Sequence, residues 1–163
     1  AYHDDLEYGW RAHELGIKSY YVPKSTIYHA ESFSFKWKPI KFYLLERNRH
    51  YCLLTHYSRK TFYKMLPELI LIEIAIIFFY TSKGLLLEKI KANYSIIKNW
   101  KKINKKYNEI QQKRKFSDKE IIKNFSDVIV VPTELSKNMQ NSLFSDFIKS
   151  LSRRVRTKII SQN

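Results

Sequence analysis

Hydrophobic positions recur mainly at intervals of three and four residues, the spacing of one face of an α-helix. This spacing predicts a helix from Pro39 to about Tyr57 and an amphipathic helix from Leu85 to Trp100. Between them, Met65 to Tyr80 is apolar apart from two glutamates. The Ser-Asp-Lys-Glu segment at Ser117 is a helix-start signal for residues 121–125. Residues 39–125 are therefore predicted to be largely helical.

The first thirty residues show a different pattern. A short helix is predicted over residues 5–15, with two aspartates at its start and Gly16 as its stop. Lys18 to Val22 and Ser25 to Ala30 are rich in Tyr, Val, Ile and Thr and are separated by Pro-Lys. These two runs predict short strands. A helix and two strands would form one compact unit.

Composition narrows the class of protein. A chain of 163 residues with 44% hydrophobic content is large and apolar enough to build a core. Its 30 Lys and Arg against 15 Asp and Glu give a formal charge of +15, which points to anionic lipid or nucleic acid as a partner. The single cysteine, Cys52, excludes an intrachain disulfide and a cysteine-based zinc site.

Several short motifs follow one another in the first fifty residues. The chain reads His3-Asp4-Asp5-Leu6-Glu7-Tyr8-Gly9-Trp10-Arg11, then Gly16, Tyr21-Val22-Pro23, Tyr28-His29 and finally the run from Lys41-Phe42-Tyr43 to Glu46-Arg47-Asn48-Arg49. In their order and spacing these motifs resemble the acceptor-side part of family 2 glycosyltransferases, including rhamnosyltransferase-like members. The resemblance covers residues 1–60, while residues 61–125 are similar to the membrane-associated tail of the family only in character.

The resemblance implies a fold and a division of the chain. The expected fold is α/β, the carboxyl-terminal part of a GT-A (nucleotide-diphospho-sugar transferase) fold followed by a mostly helical membrane-associated tail. Residues 1–60 would belong to the catalytic domain, residues 61–125 would form a basic membrane-associating region, and residues 126–163 would form a tail. Neither an Asp-x-Asp metal motif nor the nucleotide-binding strands occur in this sequence. We therefore expect a fragment without the donor-binding half, inactive in isolation.

The resemblance also implies an activity. It is an inverting, hexosyltransferase-type transfer of a sugar from a nucleotide-diphosphate donor to a lipid-linked or cell-surface glycan, as in polysaccharide biosynthesis. The second acidic residue of the pair, Asp5, would be the general base. Asp4 occupies a place usually held by Glu, so its role is less defined. His29 would help to bind a divalent cation, Mn or Mg, which bridges the diphosphate of the donor.

Each of these residues also has a simpler interpretation. Asp4 and Asp5 could only cap a helix. His29 could be the polar end of a strand, because a lone His is more often structural than a ligand. Trp10 and Arg11 could be a core side chain and a surface charge, although an Arg beside an aromatic ring also suits a diphosphate or a sugar face. We predict that Trp10 and Arg11 bind substrate.

The apolar run Met65 to Tyr80 leaves several arrangements open. At sixteen residues it is shorter than the ~20 needed for a straight span, and it contains two glutamates. Positive charge flanks both ends. A hairpin or an in-plane anchor at the cytoplasmic face of the cell membrane is expected, with a buried core helix as the alternative.

A function of another class fits the same charge. The chain could be a non-enzymatic basic adaptor that binds anionic lipid or RNA, since Tyr and Phe interleave with Lys and Arg. No recognisable nucleic-acid module is present, so no nucleic-acid partner is expected. The expected partners are the donor, the glycan or lipid-linked acceptor and an anionic membrane surface.

Overall fold

A computed structural model describes residues 2–28, 38–125 and 143–161. These residues form seven helices: α1 (Asp4–Glu14), α2 (Pro39–His56), α3 (Arg59–Ser82), α4 (Leu86–Lys98), α5 (Trp100–Lys113), α6 (Asp118–Lys123) and α7 (Leu143–Ile160). No strand occurs within these three ranges. The described part of the protein is a helical body.

The predicted α/β, GT-A fold is therefore wrong. Lys18 to Val22 and Ser25 to Tyr28 contain no strand, while the last two residues of the second predicted run lie outside the described residues. Tyr21 and Tyr28 are 88% and 96% exposed. Strand preference largely reflects packing on neighbouring strands, and these aromatic residues have no strand beside them in the described part.

The prediction of a separate membrane-associated tail after the catalytic part is wrong as well. The apolar run Met65 to Tyr80 lies within α3, which begins at Arg59 and ends at Ser82. No described helix combines the length and the apolar character that a membrane crossing requires. Helices α3 and α4 instead pack with the other helices, so they are part of the helical body and not a separate element after it.

Local signals do account for several helix ends. Helix α2 has Pro39 in its first turn, as expected for a residue with fixed φ and no N–H. Helix α6 has the predicted capping box, in which Ser117 Oγ accepts from the Glu120 N–H at 3.3 Å and Glu120 Oε2 accepts from the Ser117 N–H at 2.7 Å. The predicted stop of the first helix at Gly16 is confirmed, with α1 ending two residues earlier.

The core joins the amino-terminal helix to the rest of the body. Helix α2 packs on α4 and α5, and α7 packs on α3 and α6. One buried cluster connects α1, α2, α3, α6 and α7; its members are Trp10, Cys52, Tyr57, Met65, Ile121, Ile122 and Ile159. Burial of this apolar surface fixes α1 against α2 and so positions the conspicuous motifs of both helices.

Helix α4 has an unexpected orientation. Its lysine Lys89 is 1% exposed and forms ion pairs with Glu46 of α2 and Glu73 of α3. Arg49 bonds both carboxylates as well, with its Nη2 2.7 Å from Glu46 Oε1. The apolar stripe of α4 faces solvent, and its residue Ile97 is 72% exposed. The buried side of α4 therefore combines this ionic network with Ala92 and Ile96, and the predicted apolar stripe is not part of it.

Replacing Gly9, inside α1, and Gly16, just after its end, by alanine should change the stability of the protein in opposite directions. Gly16 has φ +76° and an added Cβ would lie 3.3 Å from the Lys115 side chain, so Gly16→Ala should destabilise the protein by about 1–2 kcal/mol. Gly9 lies inside α1 with nothing within 4 Å of an added Cβ, so Gly9→Ala should stabilise by about 0.5–1 kcal/mol. Urea denaturation of both variants measures the difference, and equal effects would contradict the left-handed end of α1.

Candidate functional site

A cavity with polar groups in its wall opens where the start of α1 meets the middle of α2, with one residue contributed by α5. Its volume is about 460 Å³, within the usual range of small-ligand sites. Acidic, basic, hydroxyl and amide side chains all contribute to its wall, which consists of Tyr2, His3, Asp4, Glu7, Arg47, Asn48, Tyr51, Cys52, Thr55 and Lys106. The cavity therefore contains groups that could bind a polar ligand and move a proton.

A strained turn precedes α1 at the edge of this cavity. Tyr2 and His3 have φ values of 63° and 62°, in the left-handed region that residues other than glycine seldom adopt. Asn48 Nδ2 donates to the Tyr2 carbonyl at 2.7 Å, and Arg47 donates from Nε and Nη2 to Asn48 Oδ1 at 3.0 and 2.9 Å. Strain of this kind often accompanies a functional site. The Arg-Asn pair of α2 thus holds the amino-terminal motif in place.

The acidic pair lies in the first turn of α1. The residue before the helix is His3, and no side chain caps the helix start, so simple capping does not account for the two aspartates. Asp4 lines the cavity, whereas Asp5 is exposed beside it and is not part of the wall. The structure therefore brings Asp4, but not Asp5, to the cavity surface.

A third acidic residue, Glu7, connects the cavity to a buried pair. Its Oε1 lies 3.7 Å from His56 Nε2 and its Oε2 lies 3.2 Å from Arg11 Nη2. His56 is fully buried, and its Nδ1 lies 2.8 Å from Glu14 Oε2. The indole ring of Trp10 stacks on His56 with centroids 4.9 Å apart. The carboxylate of Glu7 is therefore held between an arginine and a histidine that is itself fixed by a second carboxylate.

The two residues predicted to bind substrate lie behind this cavity. Trp10 is 5% exposed and packs edge-on against Tyr57 and Phe125, with ring centroids 4.8 and 5.0 Å apart. Arg11 pairs with Glu7. Neither Trp10 nor Arg11 is among the residues that line the cavity.

The sequence-based predictions did not include His56, and they named Glu7 only as part of the amino-terminal motif. The spacing of Glu7 and Arg11, four residues apart on one helix, predicts their ion pair. Nothing local marks His56, which stands 42 residues beyond Glu14 and joins it only in the folded chain.

Two cavity residues have shifted pKa values. Burial, followed by the positive charge of Arg49, lowers the pKa of His3, so its imidazole is neutral at neutral pH and one ring nitrogen can accept a proton. Burial, followed by the negative charge of Glu7, raises the pKa of Cys52 to about 11. Because the thiolate is the nucleophilic form, Cys52 is an inert part of the wall at neutral pH.

The predicted metal ligand, His29, lies outside the described residues. Within the described ranges, Glu46, His50 and Glu73 place ligand atoms within 4.8 Å of one another. Burial acts to raise the pKa of both carboxyls. The hydrogen bonds and positive charges of Arg49 and Lys89 outweigh it, as does a hydrogen bond from His50 at Glu73, so the pKa of both carboxyls is lowered. Two cations already neutralise these carboxylates, so this cluster does not fit a divalent ion.

Comparisons of the chain with protein-family models, with curated proteins and with solved structures gave no match. Two features of this protein itself bear on its function. One is the order of its motifs along the sequence, and the other is the cavity at which two of them meet.

Proposed function

We propose that this chain forms the acceptor side of an inverting glycosyltransferase, which transfers a sugar from a nucleotide-diphosphate donor to a lipid-linked or cell-surface glycan. One observation supports it above the others. Two sequence motifs that resemble family 2 glycosyltransferases, His3 to Arg11 and Glu46 to Arg49, lie more than thirty residues apart, yet both contribute to one cavity. The proposal concerns the chemistry of this cavity and requires no α/β fold.

The cavity wall suits a sugar acceptor. Tyr51, Thr55 and Asn48 carry hydroxyl and amide groups, which bind sugar hydroxyls by donating and accepting hydrogen bonds. Asp4 and Glu7 add carboxylates that accept hydrogen bonds from the same hydroxyls. A volume of about 460 Å³ is in the range expected for a sugar unit rather than a macromolecule.

The proposed reaction is a single displacement. The acceptor hydroxyl oxygen attacks the anomeric carbon of the donor sugar as the bond from that carbon to the nucleotide diphosphate breaks, which inverts the configuration. A carboxylate takes the hydroxyl proton, and the diphosphate leaves with the electron pair of the broken bond. The resemblance assigns the proton transfer to Asp5, and Asp4 is the neighbouring carboxylate in the cavity wall.

Two cations favour a lipid-linked acceptor over a neutral glycan. Arg47 and Lys106 both line the cavity, and lipid-linked sugars carry a phosphate or diphosphate at the lipid end. A guanidinium binds phosphate through paired hydrogen bonds. Arg47 is held in position by its two hydrogen bonds to Asn48 Oδ1.

The metal requirement is a separate part of the proposal. His29 as a ligand to Mn or Mg stays a prediction from the resemblance. A bound divalent ion would neutralise charge on the leaving diphosphate. The proton transfer proposed for the α1 carboxylates does not depend on it.

The test is a transfer assay on the full-length protein, with labelled nucleotide-diphosphate sugars and lipid-diphosphate acceptors. Arg47→Ala should raise the KM for the lipid-linked acceptor at least about tenfold, because a charge-assisted contact to phosphate contributes about 1.5–3 kcal/mol. Arg154→Ala, which removes an exposed arginine of α7 outside the cavity, is the matched control and should leave KM unchanged. Equal KM values for Arg47→Ala and wild type would remove Arg47 from the site.

A non-enzymatic basic adaptor for anionic lipid or RNA is the second candidate, and the formal charge of +15 favours it. The same preparation separates the two functions. Absence of transfer with every donor tested, combined with binding to acidic vesicles or RNA, would contradict the glycosyltransferase and support the adaptor.

A further inference from the structure

Helices α3 and α4 leave an apolar surface uncovered by any described residue. On α3 the exposed apolar residues recur every four positions, and on α4 they form a similar stripe. The two stripes together are called the apolar face, which consists of Ile70, Ile74, Phe78, Ile90, Tyr94 and Ile97. All six are exposed, and Phe78 and Ile97 each reach 72%. Contiguous exposed apolar surface of this kind marks an interaction site.

The two stripes face the same side of the molecule. A turn at Lys83 and Gly84 reverses the chain, and the ion pair between Glu73 and Lys89 fixes the facing sides of α3 and α4. With 3.6 residues per turn, each stripe is centred about 100° from its ion-pair residue in the same rotational sense. For two right-handed helices that run in opposite directions, equal rotations from the facing sides point to one side. The apolar face is therefore one continuous surface.

Positive charge borders the apolar face. On α4, Lys98 and Lys91 lie about 80° and 100° around the helix from the centre of the stripe, and Lys83 is exposed in the turn between the two helices. Lysines in this position extend their ammonium groups to the surface while their methylene chains pack beside apolar neighbours.

The acidic residues of both helices are directed elsewhere. Glu68 pairs with Lys158 of α7, Glu73 pairs with Lys89 and Arg49, and Glu88 pairs with Lys91 on its own helix. No other Asp or Glu occurs in α3 or α4. Of the three border lysines, only Lys91 has a carboxylate partner among the described residues, so Lys83 and Lys98 border the apolar face with unmatched positive charge.

We propose that the apolar face docks on the anionic surface of a lipid bilayer, with α3 and α4 lying in the membrane plane. Apolar side chains would enter the region below the headgroups, and Lys83, Lys91 and Lys98 would contact anionic lipid. A second copy of the chain fits less well, because it would bring lysines against lysines. Because the cytoplasmic leaflet is the anionic one, the docked protein lies at the cytoplasmic face of the membrane.

This proposal stands apart from the proposed sugar transfer. It depends on the apolar face alone, and none of the six residues lines the cavity. Docking would bring the protein to lipid-linked acceptors if both proposals hold, but either can fail without the other.

The test is co-sedimentation of the intact chain with vesicles. Mixed phosphatidylglycerol–phosphatidylcholine vesicles should bind the protein, and pure phosphatidylcholine should bind it much more weakly. The double variant Phe78→Asp/Ile97→Asp should lower partitioning at least about tenfold, the loss expected from keeping two large apolar side chains out of the bilayer. Lys91→Gln and Lys98→Gln should each weaken binding about fivefold at low salt.

A matched control separates apolar contact from net charge. Ile27→Asp/Tyr28→Asp makes the same chemical change at two residues that are exposed by 85% and 96% and lie outside the apolar face, so partitioning should fall much less. Equal losses in the two double variants would overturn the proposal. Absence of vesicle binding would also overturn it. In that case, loss of a dimer in sedimentation equilibrium on the Phe78→Asp/Ile97→Asp change would assign the apolar face to a second copy of the chain, and binding of RNA would assign it to nucleic acid.

Discussion

Replacing Asp5 by Asn should lower sugar transfer by about 10²- to 10⁴-fold in the full-length protein, because an amide cannot take the proton of the acceptor hydroxyl. Asp5 is exposed in the first turn of α1, and its side chain has no hydrogen bond or ion pair with the described residues. Asn keeps the shape of the side chain, so the melting temperature and donor affinity should change little. Turnover, melting temperature and donor affinity measured on one preparation test this result.

Asp4→Asn is the matched variant, since Asp4 stands one position earlier in the same helical turn. Its effect should be smaller if the resemblance assigns the base correctly. A larger loss of turnover for Asp4→Asn would assign the role of general base to Asp4, the carboxylate that lines the cavity. Near-normal turnover of both variants would contradict a catalytic role for the pair, and loss that follows unfolding would also do so.

Replacing Lys89 by Ala should be the most destabilising of the substitutions considered. The change leaves the buried carboxylate of Glu46 and the partly exposed carboxylate of Glu73 with only Arg49 as a strong cationic partner. Breaking a buried pair costs about 3–5 kcal/mol. The lower end applies here, because solvent reaches Glu73 and screens its charge.

Urea denaturation measures this loss, and the exposed Lys91 is the control. Lys91 pairs only with Glu88 at 3.4 Å and is 64% exposed, so Lys91→Ala should change the free energy of unfolding by less than about 0.5 kcal/mol. Similar free energies for the two variants would show that the network around Lys89 does not stabilise the fold.

Local signals in the sequence predicted several helices correctly. Pro39, the capping box at Ser117 and Gly16 each act within a few residues, through fixed φ, a side-chain hydrogen bond or a positive φ. Such effects need no tertiary contact. The strands failed for the complementary reason, since aromatic and β-branched residues form strands only when other strands pair with them.

The candidate site was predictable in part. The acidic start of α1 and the Arg-Asn pair of α2 were both conspicuous in the sequence, but nothing local shows that Asn48 binds the Tyr2 carbonyl. Trp10 was predicted to contact substrate, and its ring instead packs on His56 in the core. An aromatic residue suits a core and a sugar face equally well, so its neighbours decide between them.

By itself, the sequence of this protein determined its positive charge, its acidic amino-terminal motif and most of its helix ends, because each depends on residue type or on neighbours along the chain. Only the tertiary structure decided which side of each helix is buried and which is exposed. It buried Lys89 with Glu46, which lies 43 residues away, and left Ile97 exposed on the same helix. The physical reason is that an amphipathic pattern defines two faces, whereas the ion pairs and packing of distant residues determine which face is buried.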